Sequence, residues 1–401
     1  MSEFTHNNEN RIKLLSEYLL GLLQGENGLE LLKKYQIKTE NFVPADILGA
    51  FDVLIQREIP LDELKVISNK LFNILFEALN NYPALCPKQN SFLHYVVADN
   101  LSVKSKMQNL KPLIKDVNIS VDSHKLQTLK KGFEELADFA KHYIVIENII
   151  FPFIEKKWKH HLCVKLMWSF HDDIRLNIKK MIALLETGKF NLKEFNELAG
   201  IIFFNVSTII LREEKVIIPT LLETAEENEL DEMLYEVKKL GFAYVKVSEN
   251  STAKKKLTGF ENSEIQTPTG NLKIEQFVQI FNYLPVDITF VDENDEVKFF
   301  SNPPHRIFPR TSAIIGRKVQ FCHPPESVHI VNQILDDFKS GRENSAPFWI
   351  NMRGKMIFIE YFAMRNENGE YIGTLEVSHD VTRYRKLEGE QRILSYSASN
   401  P

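Results

Sequence analysis

Cysteine is nearly absent from this 401-residue chain: Cys86, Cys163 and Cys322 stand far apart and are odd in number. That excludes a disulfide framework and suits a reducing compartment. A basic excess is missing too. There are 49 Lys and Arg against 54 Asp and Glu, a net charge of −5, which argues against a nucleic-acid partner. Long apolar runs are also missing. The most apolar stretch, residues 201–211 (IIFFNVSTIIL), is about half of the ~20 residues that span a bilayer, and polar side chains interrupt it. The N-terminus, MSEFTHNNENR, is polar and lacks the apolar core of a signal peptide. Together these features describe a cytoplasmic protein with neither a membrane nor a nucleic acid as partner.

What is present is ordinary globular material, 44% hydrophobic and 26% charged. At roughly 100–200 residues per domain, two to four domains are expected. The expected class is multidomain, α plus α+β. Residues 1–85 read as a small bundle of three or four short helices, punctuated by Gly25, Gly28, Pro44 and Pro60. Within 88–235, four longer helices are expected near 90–115, 123–155, 163–187 and 192–225, a four-helix bundle. Residues 236–272 include a Lys-, Ser-, Thr- and Asn-rich stretch that reads as a linker.

Beyond it the period changes from helical to alternating. Strands are expected at 285–291, 296–300, 347–352, 356–364 and 371–378, with hairpin turns at Arg353–Gly354 and 366–369. Residues 381–394 are charged and read as a closing helix. An antiparallel sheet with flanking helices over 273–388 can enclose a small pocket. Residues 389–401 are a tail.

The bundle carries candidate metal ligands. Residues 142–152 read HYIVIENIIFP and residues 212–219 read REEKVIIP, so Glu147 and Glu214 each lie five residues before a proline. Between them lies WSFHDDIR, residues 168–175. Histidines and carboxylates projecting inward from several helices are how di-iron centres are built. In these motifs the segment resembles the hemerythrin-like cation-binding family. The resemblance implies a non-haem di-iron site using His142, His171, Glu147 and Glu213 or Glu214, with His94 as a substitute on the first helix. The sequence departs from the family's pattern in three places. Asp99-Asn100 stands where Glu-His is usual, Ile209 where a histidine would pair with Glu213, and Ile146 four residues after His142. Two ions, another metal occupancy, or no metal remain open.

The C-terminal segment resembles a PAS domain in LPVDITFVDENDEV (284–297), RIFPRT (306–311), IGRKVQ (315–320), CHPPESVH (322–329) and ILDDFKSG (334–341). With the helical segments, nearly the whole chain resembles a bacterial family that joins a helical domain, a hemerythrin-like domain and a PAS domain. The resemblance implies a sensory module with a haem or small organic ligand. His329 is the candidate haem ligand. Cys322, His323 and His329 are alternatives for zinc, although their spacing is not a recognised zinc pattern. The same stretch also reads as a plain helix start, with Pro324-Pro325 opening it and Glu326 in its first turn.

The leading expectation is a cytoplasmic sensor. Its bundle would respond to iron, oxygen or nitric oxide, its PAS domain would bind a ligand and pair as a homodimer, and its output would be contact with an unidentified protein partner. The alternative is a di-iron redox enzyme acting on nitric oxide or peroxide, or in iron–sulfur repair.

Overall fold

A computed structural model describes residues 2–83, 86–186, 190–248, 264–267 and 269–390. The chain divides into two compact units. One comprises Met1–Lys256, Thr311–Ile314 and Pro324–Glu326; the other comprises Leu257–Arg310, Ile315–His323 and Ser327–Pro401.

The first unit is helical. It begins with α1 (Ser2–Leu23), α2 (Gly28–Lys34), α3 (Pro44–Gln56) and α4 (Leu61–Asn81). Gly25 adopts φ +81° after α1, a conformation open to glycine because it has no Cβ. Asn27 caps α2 by accepting from the N–H groups of Leu29 and Glu30.

Four longer runs follow. The first is α5 (Phe92–Ile119), capped by Ser91. The second is α6 (Ser123–Ala137), capped by Asp122, then α7 (Ala140–Val145), a π-turn at Ile146–Ile150 and α8 (Phe151–Lys157). The third is α9 (Cys163–Glu186). The fourth is α10 (Leu192–Arg212), capped by Asn191, a π-turn at Glu213–Ile217 and α11 (Ile218–Thr224). α5 packs on α6 and α10, and α9 packs on the same two, so the four runs close a ring.

Two sequence expectations shift here. Residues 1–85 are not set apart, because buried side chains from α1, α3 and α4 join those of the bundle in one continuous hydrophobic core. Arg212 ties the two sets together. Its guanidinium donates to Ser68 Oγ (2.8 Å) and Asn69 Oδ1 (2.7 Å) on α4. The expected linker is also shorter. α12 (Glu227–Leu240) packs on α5 and α7, and Phe242 is buried beyond it. Residues 249–263 lie outside the described residues.

The second unit opens with a hairpin of β1 (Glu264–Thr267) and β2 (Gly270–Lys273), inside the expected linker, and then α13 (Ile274–Tyr283). The five expected strands follow as β3 (Asp287–Asp292), β4 (Val297–Phe300), β5 (Ser345–Met352), β6 (Lys355–Arg365) and β7 (Tyr371–Asp380), with α14 (Val328–Ser340) before β5. They form one antiparallel sheet in the order β4-β3-β7-β6-β5. Arg353 and Gly354 both take positive φ, 51° and 75°, as a two-residue hairpin turn that matches the strand twist requires. The charged segment after β7 is not an α-helix in its described part. It holds one 3₁₀ turn, Tyr384–Lys386. Among the described residues no helix is long and apolar enough to cross a membrane.

Candidate functional sites

The helical unit buries a set of ionisable and polar side chains. Asp99, Asn100, His142 and His171 are fully buried, and Glu147 and Glu213 nearly so. Both glutamates lie in the π-turns. Pro152 and Pro219 stand just after these turns. A proline has no N–H for the carbonyl four residues back and its ring crowds that carbonyl, which favours a locally wider helix. Glu147 lies one turn beyond Tyr143, and both meet His171 and Arg175, whereas His142 meets Asp99 and Glu213. In the fourth run Glu213 turns inward, whereas Glu214 pairs with Lys104 at 2.8 Å near the surface.

Two clusters result. In the first, His142 lies between two carboxylates, its Nδ1 3.0 Å from Asp99 Oδ2 and its Nε2 3.1 Å from Glu213 Oε2. Asp99 also accepts from the backbone N–H groups of Ala243 (3.2 Å) and Tyr244 (2.8 Å), and Asn100 donates to Glu213 Oε2 at 2.9 Å. Burial alone would push the His142 imidazole down, but Glu213 and Asp99 outweigh it and hold it at about 9. Burial would likewise raise Glu213, yet His142 holds it below the usual carboxylate range.

In the second cluster Glu147 accepts from His171 Nδ1 (2.9 Å) and, through both oxygens, from Arg175 Nη2 (2.7 and 2.8 Å). Arg175 also donates to Asp172 at 2.9 Å. Burial drives Asp172 up to about 6. Burial would raise Glu147 too, but the Arg175 charge more than offsets it and the carboxylate stays low. Burial lowers His171, so its imidazole is neutral near pH 7. Its ring stacks on Tyr143 with centroids 4.2 Å apart.

These residues do not fit a pair of iron ions. Both nitrogens of His142 and both oxygens of Glu147 are engaged by side chains of the protein itself. Glu214 faces Lys104, and His94 is half-buried with its ring edge-on to Tyr95, outside both clusters. Among the described residues no three His, Cys, Asp or Glu side chains converge as metal ligands would. His171 Nε2, Glu213 Oε1, Asn100 Oδ1 and Tyr143 Oη find no hydrogen-bond partner among the described residues. The sequence reading missed Asp99, Asn100 and Arg175 as members of the site. The available signal was the position of the first two, polar, on the otherwise apolar stripe of Val96, Val103, Met107 and Leu110.

In the sheet unit the three residues singled out from the sequence do not come together. His329 is exposed on α14, so it is not placed to hold a haem iron inside the unit. Cys322 is half-buried at the end of a 3₁₀ turn. His323 alone lies in an enclosed, charged setting: burial pushes its imidazole down to about 4, and Glu376, Arg310 and Arg317 are the charges around it.

That setting lies over one face of the sheet. Glu376 on β7 stands between Thr289 on β3 and Tyr361 on β6. Burial drives the Tyr361 phenol up, with Glu376 adding to the effect. Arg306 donates to Thr289 Oγ1 at 3.0 Å and to the carbonyl of Phe308 at 2.8 Å. Asp287 accepts from the backbone N–H of Ile307 at 2.6 Å. These bonds pin the 306–308 loop to the sheet. Arg310, at the end of that loop, has a buried Nε with no hydrogen-bond partner among the described residues. A separate cleft of about 960 Å³, lined by Tyr283, His305, Lys355, His379 and Tyr384, contains none of the three residues.

Comparison with known proteins places this sheet. Residues 278–382 match the family model described as PAS domain. Three solved structures are similar to part of the chain. The C-terminal domain of a protein from Streptococcus mutans is 30% identical, with 31% of this chain and 98% of that chain covered and a TM-score of 0.30. The PAS domain of a protein from Colwellia psychrerythraea is 16% identical over 27% of this chain and 98% of that one, with a TM-score of 0.21. A sensory box sensor histidine kinase from Vibrio cholerae is 13% identical over 26% of this chain and 89% of that one, with a TM-score of 0.22. No curated protein matches the chain. The chain therefore carries a PAS domain, over residues 278–382.

Proposed function

We propose that this chain is a sensory protein whose PAS domain receives a small organic acid against its sheet and passes its state to a protein partner. The PAS domain supports the sensory role. The observation that carries the ligand class is Arg310, a cation with a buried Nε unpartnered among the described residues in a setting shared with His323, Tyr361 and Glu376. A domain core built only for packing would be apolar there. A guanidinium whose buried Nε has no partner among the described residues favours an incoming carboxylate, which it can bind through two parallel hydrogen bonds. Burial keeps His323 neutral near pH 7, so it adds no charge of its own but can donate or accept a hydrogen bond.

Output through contact suits the exposed apolar residues of α13, Phe277, Val278, Ile280 and Tyr283. On this reading α13 forms the pairing face of a homodimer or receives the partner. The bundle's donor set does not favour a response to iron, oxygen or nitric oxide through two ions, and the proposal does not use one.

The test is thermal unfolding of the full chain with a panel of short mono- and dicarboxylates. A ligand at a hundred times its Kd stabilises the folded state by about 2.7 kcal/mol. At least one carboxylate is expected to raise the Tm of the wild type and to lose that effect in Arg310→Gln. The reading fails if no acid shifts the wild type, or if the shift survives in Arg310→Gln.

A further inference from the structure

A bundle centre lined with three carboxylates and two histidines calls for positive charge, because buried anions need counterions. A metal would supply it from outside. Here the chain supplies it from its own sequence. The Arg175 guanidinium lies on both oxygens of Glu147 at 2.7 and 2.8 Å, and the same carboxylate accepts from His171 Nδ1 at 2.9 Å. Arg175 comes from the same helix as His171, one turn further on, so its charge reaches the site from within the bundle. Its planar fork is the side chain best matched to a carboxylate's two oxygens.

The other half of the centre is closed in the same way. His142 faces Asp99 with one ring nitrogen and Glu213 with the other. Carboxylate oxygens only accept when ionised, so both ring nitrogens carry hydrogen and the ring is an imidazolium. The remaining negative charge is spread over backbone N–H groups from Ala243 and Tyr244, which bind Asp99, and over the Asn100 amide on Glu213.

We infer that Arg175 is a built-in counterion standing where a metal would, so that the bundle folds with no metal bound. This goes beyond the sensory proposal and is independent of it, since it concerns only the helical unit. The four atoms at the centre without a hydrogen-bond partner among the described residues, His171 Nε2 and Glu213 Oε1 among them, define the competing outcome, a single bound cation.

The experiment uses the full chain produced in iron-supplemented medium. Metal content is measured first. Co²⁺ is then titrated while its visible absorption is followed, and Tm is recorded with and without chelator. The wild type is expected to carry less than about a tenth of an equivalent of metal, to give no Co²⁺ band and to keep its Tm in chelator, as a fold that does not depend on metal must. Arg175→Gln removes the charge and frees Glu147 and His171. It is expected to lower Tm, to raise Co²⁺ affinity roughly tenfold or more, and to recover Tm as Co²⁺ is added. Arg175→Lys keeps the charge and is expected to take up no Co²⁺ while losing less Tm than the Gln variant. Should Arg175→Gln fail to fold even with Co²⁺ present while Arg175→Lys folds metal-free, the counterion role stands. One or two equivalents of iron or Co²⁺ on the wild type, or a Tm that falls in chelator, overturns it. So does Arg175→Gln with an unchanged Tm.

Discussion

Raising the pH from 6.5 to 9 should loosen the helical unit, and the cause should be a single proton. The His142 imidazolium lies fully buried between Asp99 and Glu213, and these carboxylates hold its pKa at about 9 against an ordinary 6.5. The folded state therefore binds this proton more tightly than the unfolded chain does. The resulting stabilisation is complete below pH 6.5 and is lost as the pH rises through about 9. At about 1.4 kcal/mol per pH unit, the gap between those two values corresponds to ~3 kcal/mol. For a domain of 150–250 residues each kcal/mol moves Tm by about 2–4 °C, so a fall of about 6–12 °C is expected. The carboxylates and the second imidazole of the centre act at lower pH, and burial holds the Tyr143 phenol well above its ordinary value. Burial lowers His171 and raises Asp172 to about 6, and Glu147 and Glu213 are held below the usual carboxylate range. The assay is urea or thermal unfolding followed by far-ultraviolet circular dichroism at several pH values across this window. His142→Gln should be less stable throughout and nearly flat from pH 6.5 to 9. A flat wild type, or an equal slope in His142→Gln, would refute the assignment of charge in this core.

Two further substitutions probe the packing around the sites. Arg212→Ala removes the donors to Ser68, Asn69 and the Thr208 carbonyl and the stacking over Phe170 and Phe72, so urea titration should show a loss of about 3–5 kcal/mol. Arg212→Met, which restores volume without a charge, should recover a substantial part of it. Gly373→Ala would place a Cβ 2.3 Å from the Val291 carbonyl oxygen at φ +148°, so the β3–β7 pairing of the PAS domain should weaken by about 3 kcal/mol or more, read as a lower Tm of the PAS transition.

Much of this fold can be read in the sequence because the signals are local. Alternation over 285–291 and 371–378, with Arg353-Gly354 at a hairpin, announces antiparallel strands before any tertiary contact is known. Asp122, Asn191 and the glycine and proline breaks announce helix ends in the same way. The partners of Glu147 are not legible in this way, because His171 and Arg175 reach it from another helix. His329 lies on the expected helix, but which face of a short amphipathic helix turns inward depends on how it packs, and this residue turned out.

By itself, then, the sequence determined most of the elements, their order and the PAS domain, since periodicity, caps and turn residues act over a few positions, whereas α12, the β1–β2 hairpin and the segment after β7 departed from it. Whether His142, His171, Glu147 and Glu213 would meet a metal or each other was decided by tertiary structure. Their partners Asp99, Asn100 and Arg175 come from other helices or other turns, and only packing in a water-poor core brings those charges within 3 Å or so of one another. In such a core an ionised group is kept only where its counterion is already in place.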